Sequence, residues 1–232
     1  MKAVVVIPDF NEGERVLAVA EAAQACQSVG EVVVVNDGST DNTATILSGL
    51  DATILTHHSN KGKGEALDTG VRYATDYGYD NVVFLDGDLR GIQPHHVDKL
   101  LAPIEEDEAY MSIGYLGLRN AFVKKKILNN WGALSGQRAI RTKVWDLLNN
   151  QDKHGFNIEA ALNARLHKNN LHRTIARVAL DGVGHVGKQH KEGSWPKALW
   201  AYTKTYSAAT RTYARIELER STQAIPEIEE LG

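Results

Sequence analysis

Residues 3–12 have the sequence Ala-Val-Val-Val-Ile-Pro-Asp-Phe-Asn-Glu, and this stretch decides the fold. Residues 3–7 form a continuous run rich in β-branched side chains, which is typical of a strand buried on both faces. Similar runs follow at residues 32–35 and 82–85, with alanine-rich or amphipathic segments between them. Because strands alternate with helices in this way, the sequence predicts parallel βαβ units in a doubly wound α/β sheet.

Composition narrows the class of protein. The chain has 232 residues, of which 43% are hydrophobic, so it can bury one substantial core and we expect a single domain. Its net charge of −3 argues against a nucleic-acid partner, which requires a basic surface. Cys26 is the single cysteine, which excludes an intrachain disulfide and favours a cytoplasmic protein. No apolar run approaches the roughly 18–20 residues that span a bilayer, and the first residues lack a signal-peptide pattern.

Acidic and polar side chains follow three of the predicted strands at the point where each one ends. They are Asp-Phe-Asn-Glu at residues 9–12, Asn-Asp-Gly-Ser at residues 36–39 and Asp-Gly-Asp at residues 86–88. In open α/β sheets, ligands bind at the carboxyl ends of the strands. We therefore expect the three clusters to lie along one edge of the sheet.

The third cluster has the residue types of a divalent-cation site. Asp86 and Asp88 can turn towards one Mg²⁺ or Mn²⁺, and Gly87 between them lets the backbone approach a ligand. Taken alone, this triplet is better explained as an acidic turn, because short acidic turns are common. The other two clusters at the same edge favour the metal interpretation, because a cation there would neutralise a leaving diphosphate.

Two further segments combine glycine with basic residues. Residues 60–64, Asn-Lys-Gly-Lys-Gly, precede a predicted helix, where Lys63 suits a phosphate group although the Walker spacing is absent. Residues 184–191, Gly-His-Val-Gly-Lys-Gln-His-Lys, follow a predicted strand. We hypothesise that His185 completes the coordination that Asp88 begins, with the two lysines of this segment binding the diphosphate.

In their order along the chain, these segments resemble the family 2 glycosyltransferases and their relatives with the GT-A fold. The matching segments are 6–12, 35–41, 60–64 and 84–88, and a looser match covers 135–140, 155–159 and the loop around His185. The resemblance implies a GT-A (Rossmann-like) domain with a mostly parallel sheet flanked by helices. It also implies transfer of a hexose from a nucleoside-diphosphate sugar, either a UDP-sugar or a GDP-sugar.

The resemblance also assigns roles to residues. It implies that Pro8, Glu12 and Asp37 surround the base and ribose, that Asp86 lies near the ribose or the metal, and that Asp88 binds the metal. The family usually has an aromatic residue at the position of Asp9 and an acidic residue at the position of Asn36, and these two differences affect the expected choice of nucleobase. The full set of expected donor-binding residues is Pro8, Asp9, Asn11, Glu12, Asp37, Lys63, Asp86, Gly87, Arg138, Lys188 and Lys191.

The expected catalytic residues are Asp88, through the metal, and Glu159. An inverting transfer needs a base that deprotonates the acceptor hydroxyl, and Glu159 opens a predicted helix on the acceptor side. An equally good interpretation is a first-turn glutamate that the helix dipole stabilises. Inverting and retaining chemistry both remain open.

We expect one domain over residues 1–220, with a donor-binding half at 1–105, an acceptor half at 106–193 and an amphipathic helix at 195–220; residues 221–232 form an acidic tail. The aromatic residues of that helix are best explained by packing on the domain. The alternative is peripheral contact with the inner face of a membrane or with a lipid-linked acceptor, assisted by the lysines at 124–126. The acceptor and a homodimeric state stay open.

Three other functions compete with this interpretation. A sugar nucleotidyltransferase should have a glycine-rich basic loop after the first strand, where this chain has Pro8 and an acidic segment. A dehydrogenase should have GxGxxG at the same place. A non-catalytic sugar-nucleotide-binding protein would need the donor site without an acceptor base.

Overall fold

A computed structural model describes residues 2–116, 135–154, 157–185 and 195–219, without the side chains of residues 195–206. The strands are β1 (Ala3–Asp9), β2 (Val29–Asn36), β3 (Thr53–Thr56), β4 (Asn81–Phe84), β5 (Leu89–Arg90), β6 (Met111–Leu116), β7 (Arg138–Arg141), β8 (Ile175–Leu180) and β9 (Gly184–His185). The helices are α1 (Arg15–Gln24), α2 (Thr43–Leu47), α3 (Lys63–Asp76), α4 (Pro94–Glu105), α5 (Thr142–Trp145), α6 (Ile158–Lys168) and α7 (Trp195–Leu218), and His172–Thr174 forms a 3₁₀ turn.

The main sheet has seven strands in the order β3-β2-β1-β4-β7-β6-β8. The first four of these pair in parallel, and β6 also pairs in parallel with β8, whereas β7 runs antiparallel to both of its neighbours. The prediction of a mostly parallel α/β sheet is therefore confirmed, with one reversed strand. Since Arg138 at the start of β7 lies opposite Phe84 at the end of β4, the residues just before β7 arrive at the carboxyl edge of the sheet.

Both faces of β1 are covered, which explains its unbroken apolar sequence. Val4 and Val6 belong to one core cluster, while Val5 and Ile7 belong to the other, and all four are fully buried. Burial of each such side chain contributes about 1.5–3 kcal/mol. Helix α3 lies so close to β1 that a Cβ at Gly70 would stand 2.2 Å from Val6 Cγ1.

The C-terminal part of α7 is bound to α6 by charged groups. Arg165 of α6 donates from NH1 to Oε2 of Glu219, the residue that follows α7, at 2.6 Å. Its Nε donates to Oδ2 of Asp152, which precedes α6, at 2.7 Å. Lys168 Nζ donates to the carbonyl oxygens of Ile216 and Glu219, at 2.7 and 2.6 Å respectively. Among the described residues, no helix combines the length and the apolar character that crossing a bilayer requires. The aromatic side chains at the start of α7, the lysines at 124–126 and the tail at 221–232 lie outside the described part.

Candidate active site

The loops that follow β1 and β2 are joined by hydrogen bonds at the carboxyl edge of the sheet. Asp37 N donates to the carbonyl oxygen of Asp9 at 2.7 Å. Asn11 N donates to Ser39 Oγ at 3.0 Å, and Thr40 N donates to Asn11 Oδ1 at 2.8 Å. Asn11 has a φ of 56°, a left-handed conformation that asparagine tolerates better than most residues. The first two predicted clusters therefore lie together at this edge.

Asp37 organises the loop that leads into α3. Its Oδ1 accepts a hydrogen bond from Lys61 N at 2.9 Å, and its Oδ2 accepts one from Gly62 N at 2.7 Å. Oδ1 also lies 2.6 Å from His57 Nδ1. Because α3 begins at Lys63, these bonds fix the approach of that lysine to the site. Both carboxylate oxygens of Asp37 are engaged within the protein, so contact between this residue and a nucleobase stays a prediction.

Asp86, Asp88 and His185 come together at the end of β4. One potential ligand atom from each lies within 4.8 Å of the others. His185 Nδ1 is 3.2 Å from Asp88 Oδ1, and His185 Nε2 is 4.0 Å from Asp86 Oδ2. Two carboxylate oxygens and an imidazole nitrogen are a donor set that suits Mn²⁺ or Mg²⁺. These residues therefore fit the cation that the sequence predicts.

A short antiparallel ribbon brings His185 to this place. In the pairing of β5 with β9, Leu89 lies opposite His185. Gly91 has a φ of 72°, and a Cβ on it would meet the carbonyl oxygen of Gly182 at 2.5 Å, so the two loops pack backbone against backbone. The hydrogen bond to Asp88 raises the pKa of His185 above its usual 6.5, although burial acts in the opposite direction.

Lys63 connects the cluster of Asp86, Asp88 and His185 to Glu159. Its Nζ lies 2.7 Å from Asp86 Oδ1 and 2.6 Å from Glu159 Oε1. Burial alone would lower the pKa of Lys63, but the two carboxylates raise it above its usual value. Burial likewise acts to raise the pKa of Asp86, and the charge of Lys63 outweighs it, so the pKa of Asp86 lies below its usual range. Lys63 is therefore protonated and Asp86 ionised at neutral pH.

The segment before β7 contributes contacts that the sequence did not predict. Gln137 Nε2 donates to Asp86 Oδ2 at 2.8 Å. A Cβ on Gly136 would stand 2.4 Å from Asp86 Oδ2 and 2.6 Å from Lys63 Nζ, so a side chain here would collide with both groups. A glycine immediately before a predicted strand is a sign of close backbone approach, but the sequence does not say to which group.

Arg138, an expected donor-binding residue, lies beneath the site. It is 1% exposed, and it donates from Nε to the carbonyl oxygen of Ser135 and from NH1 to Asn163 Oδ1, each at 2.7 Å. Its contact with the donor therefore stays a prediction, whereas its contact with the segment before β7 is observed.

Some of the remaining expected residues lie at the carboxyl edge of the sheet, and two lie in the part that the structure does not describe. Pro8 lies near the end of β1, and Glu12 Oε2 pairs with Arg15 Nε at 2.8 Å. A Cβ at Gly87 would stand 3.2 Å from Asp9 Oδ1, so Gly87 and Asp9 are adjacent. Lys188 and Lys191 lie outside the described residues.

Comparison with known proteins gives the family. The model of the family described as Glycosyl transferase family 2 matches residues 4–164, which is more than half of the chain. The chain belongs to glycosyl transferase family 2. The match extends from β1 into α6 and thus includes Lys63, Asp86, Asp88 and Glu159.

Two curated relatives of this chain are described as uncharacterized proteins. An uncharacterized protein of Methanocaldococcus jannaschii is 26% identical over 144 residues, which are 59% of this chain and 62% of that protein. A second uncharacterized protein of the same organism is 32% identical over 110 residues, 47% of this chain and 44% of that protein. The chain thus spans less than two thirds of the length of either relative.

Solved structures show the same fold for this family 2 chain. Glucosyl-3-phosphoglycerate synthase from Mycobacterium tuberculosis, in complex with Mn²⁺, UDP and phosphoglyceric acid, matches with a TM-score of 0.74 and 22% identity, covering 95% of this chain and 80% of that one. Its complex with Mn²⁺ and UDP-glucose matches with a TM-score of 0.73, 22% identity and the same coverage. The expected GT-A fold is confirmed.

Proposed function

We propose that this protein is a metal-dependent glycosyltransferase that moves a hexose from a UDP-sugar or a GDP-sugar to a small-molecule or lipid-linked acceptor. The observation that carries the proposal is the cluster of Asp86, Asp88 and His185 at the carboxyl edge of the sheet. Membership of family 2 supports it, as does the likeness of the fold to a synthase whose structures contain UDP-glucose and Mn²⁺.

In this proposal, the charges of the site stabilise the leaving group. Mg²⁺ or Mn²⁺ held by Asp86, Asp88 and His185 would neutralise charge that develops on the diphosphate. Lys63 places a second positive charge beside Asp86, and 15% of its side chain is exposed, so a bound donor can reach it. We extend this role to Lys188 and Lys191, which follow His185 in the sequence.

We propose Glu159 as the base for the acceptor hydroxyl in an inverting reaction. It lies in the first turn of α6, its side chain is 13% exposed, and it contacts Lys63. These contacts also suit a residue that only positions Lys63. If Glu159 is the base, Glu159→Gln lowers transfer by roughly 10²–10⁴-fold while the donor still binds. Full transfer by the variant would exclude the base role.

A thermal-shift panel of UDP, GDP and their sugars, with Mn²⁺ and with EDTA, tests the donor. A donor at a hundredfold excess over its Kd stabilises the fold by about 2.7 kcal/mol. We expect one nucleotide to stabilise the protein in Mn²⁺ and much less in EDTA. If no nucleotide does so, the proposal is wrong.

Turnover then separates the competing functions. Release of nucleoside diphosphate from the donor identifies a transferase. Binding without such release indicates a non-catalytic binding protein, and release of pyrophosphate from a nucleoside triphosphate and a sugar phosphate indicates a nucleotidyltransferase.

A further inference from the structure

The two oxygens of Asp86 are each held by a hydrogen-bond donor of the protein. Oδ1 lies 2.7 Å from Lys63 Nζ, and Oδ2 accepts a hydrogen bond from Gln137 Nε2 at 2.8 Å. Oδ2 is also the oxygen that faces His185 Nε2, at 4.0 Å. The carboxylate plane of an aspartate rotates over a broad range of angles when nothing restrains it. Two donors on opposite oxygens therefore fix that plane.

The amide of Gln137 can present only its nitrogen to Asp86. A carboxylate oxygen accepts hydrogen bonds and cannot donate them when ionised, so Nε2 faces Asp86 and Oε1 faces away. Ser135 Oγ lies 2.9 Å from Oε1 and 2.6 Å from the carbonyl oxygen of Gly114, and it can donate to either. Gln137 is fully buried, so water does not compete for these groups.

The backbone that carries Gln137 is itself held from two sides. Gly114 N, near the end of β6, donates to the carbonyl oxygen of Gln137 at 2.8 Å. From beneath, Arg138 Nε donates to the carbonyl oxygen of Ser135 at 2.7 Å. Gly136 between them has no side chain, which allows the backbone to lie against Asp86.

We propose that Gln137 is a positioning residue for the cation: its amide holds Asp86 in the orientation that binds the metal, and Ser135 supports the amide. The inference rests on the proposed metal-dependent function. Outer partners of metal ligands commonly change metal affinity by about 10–100-fold when they are replaced. We expect an effect of that size here, because Gln137 supplies the hydrogen bond that holds Oδ2 of this carboxylate.

The test measures Mn²⁺ affinity rather than turnover. Free Mn²⁺ is followed by its electron paramagnetic resonance signal during titration of the full chain, once in the presence of UDP and once in the presence of GDP. Gln137→Met keeps a side chain of similar length without donor or acceptor groups. We expect it to raise the Kd for Mn²⁺ about 10–100-fold, and Ser135→Ala to raise it by a smaller factor.

Ser112→Ala is the matched control. Ser112 is fully buried in β6, and its Oγ donates to the carbonyl oxygen of Leu100 in α4 at 2.5 Å. We expect loss of this hydroxyl to lower the melting temperature and to leave the Kd for Mn²⁺ unchanged. A merely structural role for Gln137 would give the same pattern, and an unchanged Kd in Gln137→Met would overturn the inference.

Two further outcomes are decisive. If Gln137→Met does not fold, Ser135→Ala decides, since an unchanged Kd in that variant contradicts the inference. If the unaltered chain binds no Mn²⁺, then the metal site, the proposed function and the role of Gln137 all fail. If the chain binds Mn²⁺ equally well with and without Gln137, only the role of Gln137 fails.

Discussion

Gly136→Ala is the substitution whose effect follows most directly from the geometry of the site. The added Cβ would lie 2.4 and 2.6 Å from the two carboxylate oxygens of Asp86 and 2.6 Å from Lys63 Nζ, whereas ordinary contacts begin at 3.4 Å. Both side chains must therefore move by about 1 Å, and a displacement of that size costs roughly 10²-fold in rate. This corresponds to about 2.7 kcal/mol in the activation free energy.

The fold should tolerate the same substitution. Gly136 is not among the residues with positive φ, so alanine fits its backbone conformation. Alanine also reduces the entropy of the unfolded chain, which offsets part of the local strain. We expect a melting temperature close to that of the unaltered protein together with a large loss of turnover.

Nucleoside-diphosphate release from a panel of UDP- and GDP-sugars measures this effect. Gly49→Ala is the control, because a Cβ there would meet only the carbonyl oxygen of Ile46 at an ordinary 3.7 Å. Turnover by Gly136→Ala equal to that of Gly49→Ala would refute the argument that Gly136 makes room for Asp86 and Lys63.

Four further substitutions test other parts of the account. His185→Ala should weaken Mn²⁺ binding at least tenfold, since a neutral imidazole is lost from the cluster; unchanged binding in a calorimetric titration would remove His185 from the site. Asp37→Asn should weaken nucleotide binding by loosening the loop before α3, and an unchanged Kd for the nucleotide would contradict this. Gly70→Ala should reduce the free energy of unfolding in urea by about 1–3 kcal/mol, because its Cβ would overlap Val6; equal stability would be the contrary result. Burial acts to raise the pKa of Glu31, but hydrogen bonds from Thr53 and two tyrosines lower it below 4.5 overall. Glu31→Gln should therefore destabilise the protein at neutral pH. The difference in stability between the variant and the unaltered protein should shrink as the pH falls below about 4.3. A difference independent of pH would contradict that assignment.

The sequence was most informative where one physical cause determined both the pattern and the structure. The unbroken apolar run of residues 3–7 arises because helices cover both faces of β1, and such a run can be recognised without a structure. The polar residues after β1, β2 and β4 meet because parallel strands end at one edge of a sheet.

The predicted first strand ended before Pro8, whereas β1 continues to Asp9. Strand β4 pairs with β1 only as far as Phe84, opposite Val6, and Pro8 continues the ladder with β2 alone.

The rest of the site depends on contacts between distant parts of the chain. Glu159 and Lys63 meet because α6 and the start of α3 converge on Asp86, and no local pattern in the sequence encodes that approach. The β5–β9 ribbon has two residues in each strand, too few to give a periodic signal. Gln137 lies in a segment that the family resemblance included, but its contact with Asp86 results from the reversed direction of β7.

Calorimetric titration of the protein with UDP and with GDP, in Mn²⁺, in EDTA and in the Asp88→Asn variant, tests the central claim most directly. We expect one of the two nucleotides to bind in Mn²⁺, and both EDTA and Asp88→Asn to weaken this binding at least tenfold, because Asp88 and its neighbours would hold the cation beneath the diphosphate. Equal affinity with and without the metal, or no binding of either nucleotide, would contradict it.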